Sequence, residues 1–263
     1  MDSAAAFLEA EMYEERELLK QKRMCLRNST NIFHMHDTAS EGLTPEQKLA
    51  ACLRFFGEGT YQHGVGKDFD SPVAQSTFSK ILQELLCVLE DTLCAKWISL
   101  DMSPAQIQES KSFVEARTGF PNVKFCVDGT HIKIVAPRDD KHLFYNRKGY
   151  YSLNVLIICD YKMWIRGLNA NFQGANHDSH IWNISPQRSH FKQRYENGVR
   201  DEYVLGDAGY PLEPWLMTPF RTPPPNSPQM RYNKSHSRAR NVVERTIGLL
   251  KNRFRCLLGL LSQ

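Results

Sequence analysis

The chain has 263 residues, 41% of them hydrophobic and 24% charged, with a formal net charge of +4. No apolar run approaches the ~18 residues of a membrane span, which excludes a membrane-embedded class. The mild total charge does not by itself point to nucleic acid, so the distribution of charge has to decide.

The N-terminal "AAAFL" is broken at once by Glu9 and is too short for a signal-peptide core. The seven cysteines form no C-x-x-C pair, and most sit in apolar runs. They read as reduced core residues of a soluble intracellular protein. Residues 1–42 read as a polar arm, helical or disordered. Within it lie the weak basic cluster "KQKR" at 20–23 and "HMH" at 34–36, both expected on the surface.

Residues 43–120 read as a small helical module. Leu49, Cys52, Leu53 and Phe56, then Phe78, Ile81, Leu82, Leu85, Leu86 and Leu89, recur at helical spacing. A Gly- and Asp-rich stretch with turns lies between the two sets. "DMSPAQIQESKSFVEARTGFPN" follows as a helix ending at Gly119 and Pro121.

At Val123 the period changes. "VKFCVDGTHIKIVAP" and "YYSLNVLIICDYKMWIRGLNANF" are β-rich, with Asp160 starting a hairpin turn. "DSHIWNIS" starts a helix, "EYVLGD" is a short strand, and "LMTPF" is another. "RTPPPNSPQ" is neither helix nor central strand, because its prolines remove donors. A basic helix comes last. Residues 121–263 therefore predict an α/β domain with a mixed sheet flanked by helices.

Two acids end buried strands beside a glycine: Asp128 with Gly129, and Asp207 with Gly206. Alone, each is also an ordinary turn pair. The last helix shifts the balance. Between Ser237 and Arg255 it carries six cations and one acid, Glu244. Val243, Ile247, Leu250 and Phe254 predict its buried stripe, and Glu244 lies at the stripe's edge, about 100° from Val243. Its carboxylate is expected to point to the sheet while the cations fan outward. Three converging acids repel unless a divalent cation sits between them. An all-oxygen donor set suits Mg²⁺ or Mn²⁺, and such ions serve phosphodiester cleavage. The outward cations then hold the DNA backbone: Lys234, Arg238, Arg240, Arg245, Lys251, Arg253 and Arg255.

The blocks "VDGTHIKIVAP", "YNRKGYYSLNVLIICD", "ANFQGANHDSHIWNIS", "YVLGDAGYPLEPWLMTPF" and "RYNKSHSRARNVVERTIGLLKNRFRCL" resemble the PIF/Harbinger transposases. The resemblance is closest to their domesticated relatives, the Harbinger transposase-derived nucleases, and runs from about Pro45 to Leu257. It implies an RNase H-like nuclease core with a D-D-E metal triad, carried over as Asp128, Asp207 and Glu244, with 78 and 36 residues in the gaps. It also implies a nuclear location, with the cytoplasm as a second compartment, and DNA recognition shared with a Myb-like partner protein.

The resemblance gives Asp178 a supporting role near the metals, although its place at a helix start equally suits a cap. His131, three residues after Asp128, is a candidate to touch the site or to make a structural hydrogen bond. The resemblance further implies a helix-turn-helix before the core. "VAQSTFSKILQELL" fits its recognition helix, with Gln75, Ser76, Thr77 and Lys80 towards DNA. From Pro45 to Lys96 there are five Lys or Arg against seven acids, so protein docking is an equal reading of that module. The resembled family continues into a further apolar helix after "CLLGLLSQ". Leu257, Leu258, Leu260 and Leu261 are therefore expected to need cover from more chain or from a partner.

Two functions compete: a metal-dependent DNA endonuclease, and a catalytically silent DNA-binding or adaptor protein on the same fold. Three intact acids favour the first.

Overall fold

A computed structural model of the chain describes residues 43–59 and 74–259. The arm at 1–42, with its basic cluster and "HMH", lies outside the described residues. Five strands form one sheet in the order β3-β2-β1-β4-β5. They are β1 (Val123–Lys133), β2 (Ser152–Cys159), β3 (Ile165–Gln173), β4 (Tyr203–Leu205) and β5 (Leu216–Met217). β1, β2 and β3 run antiparallel, whereas β1–β4 and β4–β5 are parallel. This mixed α/β sheet with helices on both faces is consistent with the RNase H-like expectation.

The α-helices of seven residues or more are α1 (Pro45–Glu58), α2 (Gln75–Leu89), α3 (Pro104–Thr118), α4 (Asp178–Ile184), α5 (Pro186–Glu196) and α6 (Pro228–Arg253). One device starts four of them: a Ser or Thr N-cap followed by Pro in the first turn. Thr44, Ser103, Ser185 and Ser227 each accept a backbone N–H of the first turn. The proline that follows has no N–H to leave unpaired there. Helix α6 thus begins inside the proline-rich stretch read as non-helical, because Pro228 sits where a helix tolerates proline. Helix α5 carries no amphipathic signal and was not expected. Only Phe191 of it is buried. Its Ser185-Pro186 start is the one local sign of it.

The sheet has two cores. Phe125, Val127, Leu156, Ile158, Val204 and Leu216 pack with Ile181 and Trp182 of α4 and Phe191 of α5. On the other face Val123, Cys126, Cys159 and Leu205 pack with Val114 of α3 and Ala239 and Val243 of α6. Helix α3, which composition groups with the N-terminal module, thus packs on the sheet. Ser110 Oγ lies 3.2 Å from the carbonyl oxygens of both Val123 and Lys124. Helices α1 and α2 share a separate core around Cys52, Phe55, Phe78, Ile81 and Leu85. Helix α1 also meets the end of α6: Phe56 and Phe254 stack edge-on at 6.5 Å. Gly59, at φ 65°, sits so close that a Cβ would lie 2.8 Å from the Arg255 carbonyl carbon. That contact covers part of the apolar C-terminal stretch. Leu258 stays exposed, and Leu260 and Leu261 lie outside the described residues.

Cys52, Cys126 and Cys159 are buried, whereas Cys87 and Cys94 are exposed. Among the described residues no helix is long and apolar enough to cross a membrane.

Candidate active site

Strand register brings two of the three acids together. Cys126 of β1 pairs in parallel with Leu205 of β4. Asp128 and Asp207 each lie two residues further on, so the period of two aims both at the face covered by α6. Asp207 leaves the sheet immediately into a turn, where its Oδ1 accepts the Gly209 N–H at 2.8 Å. Asp128 stays on β1, its side chain 19% exposed, and its Oδ1 accepts the Gly129 N–H at 2.9 Å. Burial, and then the nearby Asp207, push the Asp128 carboxyl above the ordinary carboxylate range against the opposing pull of Arg240.

Glu244 arrives on α6. The buried stripe of that helix is His236, Ala239, Val243 and Thr246. It does not extend through Leu250 and Phe254, which are only partly covered. Glu244 borders the stripe but is 52% exposed. It reaches the strand acids through a third residue. Arg240 Nη1 donates to Asp128 Oδ2 at 3.1 Å, and Arg240 Nη2 donates to Glu244 Oε1. The sequence alone predicts that all seven cations of this segment face outward. Arg240 instead turns in, because two carboxylates lie within reach of its fork. The i,i+4 spacing of Arg240 and Glu244 was the available signal. Lys251 also turns in, donating to the His131 carbonyl at 2.8 Å. Lys234, Arg238, Arg245, Arg253 and Arg255 lie on exposed positions.

Asp178 does not cap α4. The N-cap is His177, with no side-chain cap bond. Asp178 Oδ1 instead accepts Asn154 Nδ2 at 2.9 Å and packs on Gly129, where a Cβ would lie 2.3 Å from that oxygen. Only glycine beside Asp128 lets this fourth carboxylate approach. Tyr210 marks the same neighbourhood. Its hydroxyl is buried with no hydrogen-bond partner. Burial, then Asp178, Asp128 and Asp207, push it far above the usual phenol range. His131 Nδ1 lies 3.0 Å from Ser152 Oγ, the structural hydrogen bond that was one of its two readings.

Among the described residues no three acids are gathered within reach of one ion. The donor set nevertheless fits a hard divalent cation: carboxylate oxygens, a partly buried acid whose carboxyl pKa burial raises, and a guanidinium standing as the cation between two of them. On the N-terminal side, Gln75, Ser76 and Lys80 are exposed along the start of α2 and Thr77 is partly covered.

The family described as DDE superfamily endonuclease matches residues 127–263. The chain is 31% identical over 221 residues to "Putative nuclease HARBI1" of Homo sapiens, an alignment covering 84% of this chain and 61% of that protein. It is 30% identical, with the same coverage, to the Mus musculus protein of that name. It is 27% identical over 243 residues to "Protein ALP1-like" of Arabidopsis thaliana, covering 86% of this chain and 57% of that one. The chain thus spans about three fifths of the length of these curated relatives. No solved structure matches it. The family match covers more than half of the chain, begins one residue before Asp128 and takes in most of β1, the other four strands and helix α6, so this chain belongs to the DDE superfamily endonucleases.

Proposed function

We propose that the chain is a divalent-metal-dependent endonuclease of Harbinger-transposase descent, acting in the nucleus on DNA phosphodiester bonds. The observation that carries this reading is the placement of Asp128 and Asp207 at equal offsets from a parallel strand pair, with Glu244 tied to Asp128 through Arg240. The names of the relatives support it. Asp128, Asp207 and Glu244 would hold Mg²⁺ or Mn²⁺, which when bound supplies positive charge for phosphodiester hydrolysis. Arg240 keeps the acids from repelling one another until then. Asp178, fixed by Asn154, adds negative charge beside the strand acids and supports their orientation. The exposed cations of α6 hold the substrate backbone, each neutralised phosphate steepening the salt dependence.

A plasmid-nicking assay with Mg²⁺ or Mn²⁺ tests the reading. Nicking by the wild type that is lost in Asp128→Asn, Asp207→Asn and Glu244→Gln supports it. A second reading, a silent DNA-binding or adaptor protein, is favoured by one observation: Arg240 already neutralises two of the three acids. DNA binding without nicking under either metal would select it.

A further inference from the structure

The turn between β1 and β2 carries an unbalanced cluster of positive charge that neither the fold nor the acid site uses. Arg147 and Lys148 are exposed at its tip, and among the described residues no carboxylate pairs with either. The tip is held rigidly from below. Asn146 is buried, donating Nδ2 to Ser152 Oγ at 2.8 Å and accepting the Lys148 N–H at 2.9 Å on its Oδ1. Its backbone N–H bonds the Tyr150 carbonyl at 3.0 Å, and Gly149 at φ 83° closes the turn. Such a network costs conformational entropy that only a fixed geometry would require.

The turn faces the continuation of β1. Lys133 Nζ sits 5.7 Å over the Tyr150 ring, and Tyr150 meets His131 edge-on at 6.3 Å. Lys251 of α6 reaches the same strand through the His131 carbonyl. The Lys251 ammonium is held below the usual lysine range by burial and then by the charge of Lys148, so cations from two separate elements stand within each other's field. Tyr145, half exposed, stacks edge-on with Tyr151 at the base of the turn. His131 is three residues beyond Asp128, about 10 Å along an extended strand. The cluster therefore lies along β1 beyond the acids, apart from the place where a scissile phosphate would sit.

Like charges gathered on a rigid turn repel unless an anion joins them, and an extended polyanion satisfies cations spread over two elements better than a small one. Exposed aromatic faces beside cations suit a strand with accessible bases. We propose that Arg147 and Lys148, with Lys133 and Lys251, form a second phosphate-binding patch. It would grip the DNA strand along β1 beyond the acids, where the last turn of α6 meets the turn, with Tyr145 and Tyr150 along its base. This rests on the DNA-nuclease reading above and extends it to a surface along β1 beside the site.

The test uses the full chain and a labelled DNA duplex with a single-stranded end, with affinity measured between about 50 and about 200 mM salt. Arg147→Ala/Lys148→Ala should lower the slope of log K against log salt by about 1.4 to 1.8, two phosphates' worth on single- or double-stranded DNA. It should keep the wild-type melting temperature and its gain on adding Mg²⁺, because Asn146 and the acids are untouched. Arg147→Gln/Lys148→Gln should do the same. A slope equal to the wild type in both variants overturns the patch while leaving the nuclease reading standing. Wild type that fails to bind this DNA at the lowest salt overturns both. A matched RNA bound more tightly than the DNA, with the loss in the variants confined to RNA, overturns the assignment to DNA.

Discussion

Arg240 of helix α6 donates to Asp128 of strand β1 at 3.1 Å, across 112 positions of sequence, and holds Glu244 with its other nitrogen. One guanidinium thereby ties the helix acid to a strand acid. Replacing it should separate its two effects. Arg240→Ala removes the positive charge between the carboxylates, so the metal-free protein should melt below the wild type. The same change frees both acids, so Mg²⁺ or Mn²⁺ should raise the melting temperature by more than in the wild type. A hundredfold excess over Kd is worth about 2.7 kcal/mol. A metal-induced gain equal to or smaller than the wild type's would mean that Arg240 does not compete for the site.

The acids should act as one unit. Asp128→Asn, Asp207→Asn and Glu244→Gln should each abolish nicking, leave salt-dependent DNA binding nearly intact, and show no further loss when combined. Burial holds the Asp128 carboxyl above the ordinary carboxylate range, so folding penalises its ionised form relative to the unfolded chain. Without metal, Asp128→Asn should therefore melt no lower than the wild type. If Mg²⁺ shifts the wild type and all three variants equally, these acids form no metal site.

Gly129 should be intolerant of a side chain. A Cβ there would lie 2.3 Å from Asp178 Oδ1, an oxygen already fixed by Asn154. Gly129→Ala should displace Asp178 and break that bond, costing about 1–3 kcal/mol in urea unfolding. Asp178→Ala in the same background should recover part of the loss. Additive losses from the two changes would show that they do not collide.

His236 supplies a pH dependence. It is buried between Tyr232 and Phe120, and its Nε2 lies 3.0 Å from the Met217 carbonyl. Burial holds its imidazole below the usual range. As pH falls past about 6.5 the unfolded chain takes up a proton that the folded protein refuses. The contribution of His236 is thus complete above that pH and is lost as pH falls towards the folded value, at up to about 1.4 kcal/mol per pH unit. His131 and His190 are lowered for the same first reason and add to the slope. His236→Gln should flatten the fall in urea midpoint between about pH 7.5 and about pH 5. An unchanged fall would assign it to the other two histidines.

Local signals determined much of this protein before any contact was known. The change of period at Val123, the β-rich runs of β2 and β3, and Gly119 closing α3 in the left-handed region all place elements that the structure contains. So does Asp160 in its hairpin, accepting the Lys162 and Trp164 N–H groups. These depend on neighbours within a turn or two, which sequence specifies directly. The three acids could be singled out because each stands at a junction between an apolar run and a polar one. What sequence could not decide is where long side chains go. Arg240 carries the same periodicity whether it faces solvent or Asp128, and the choice rests on the Asp128 carboxylate that packing of α6 against β1 brings alongside. Asp178 has the local context of a cap, yet Asn154 of β2 takes its carboxylate. Helix α5 has one buried residue and no apolar stripe, so its position comes from Phe191 finding Trp182 and Phe125 across the sheet. Periodicity assigns a face to each residue, and only the register between distant strands supplies the partner on that face.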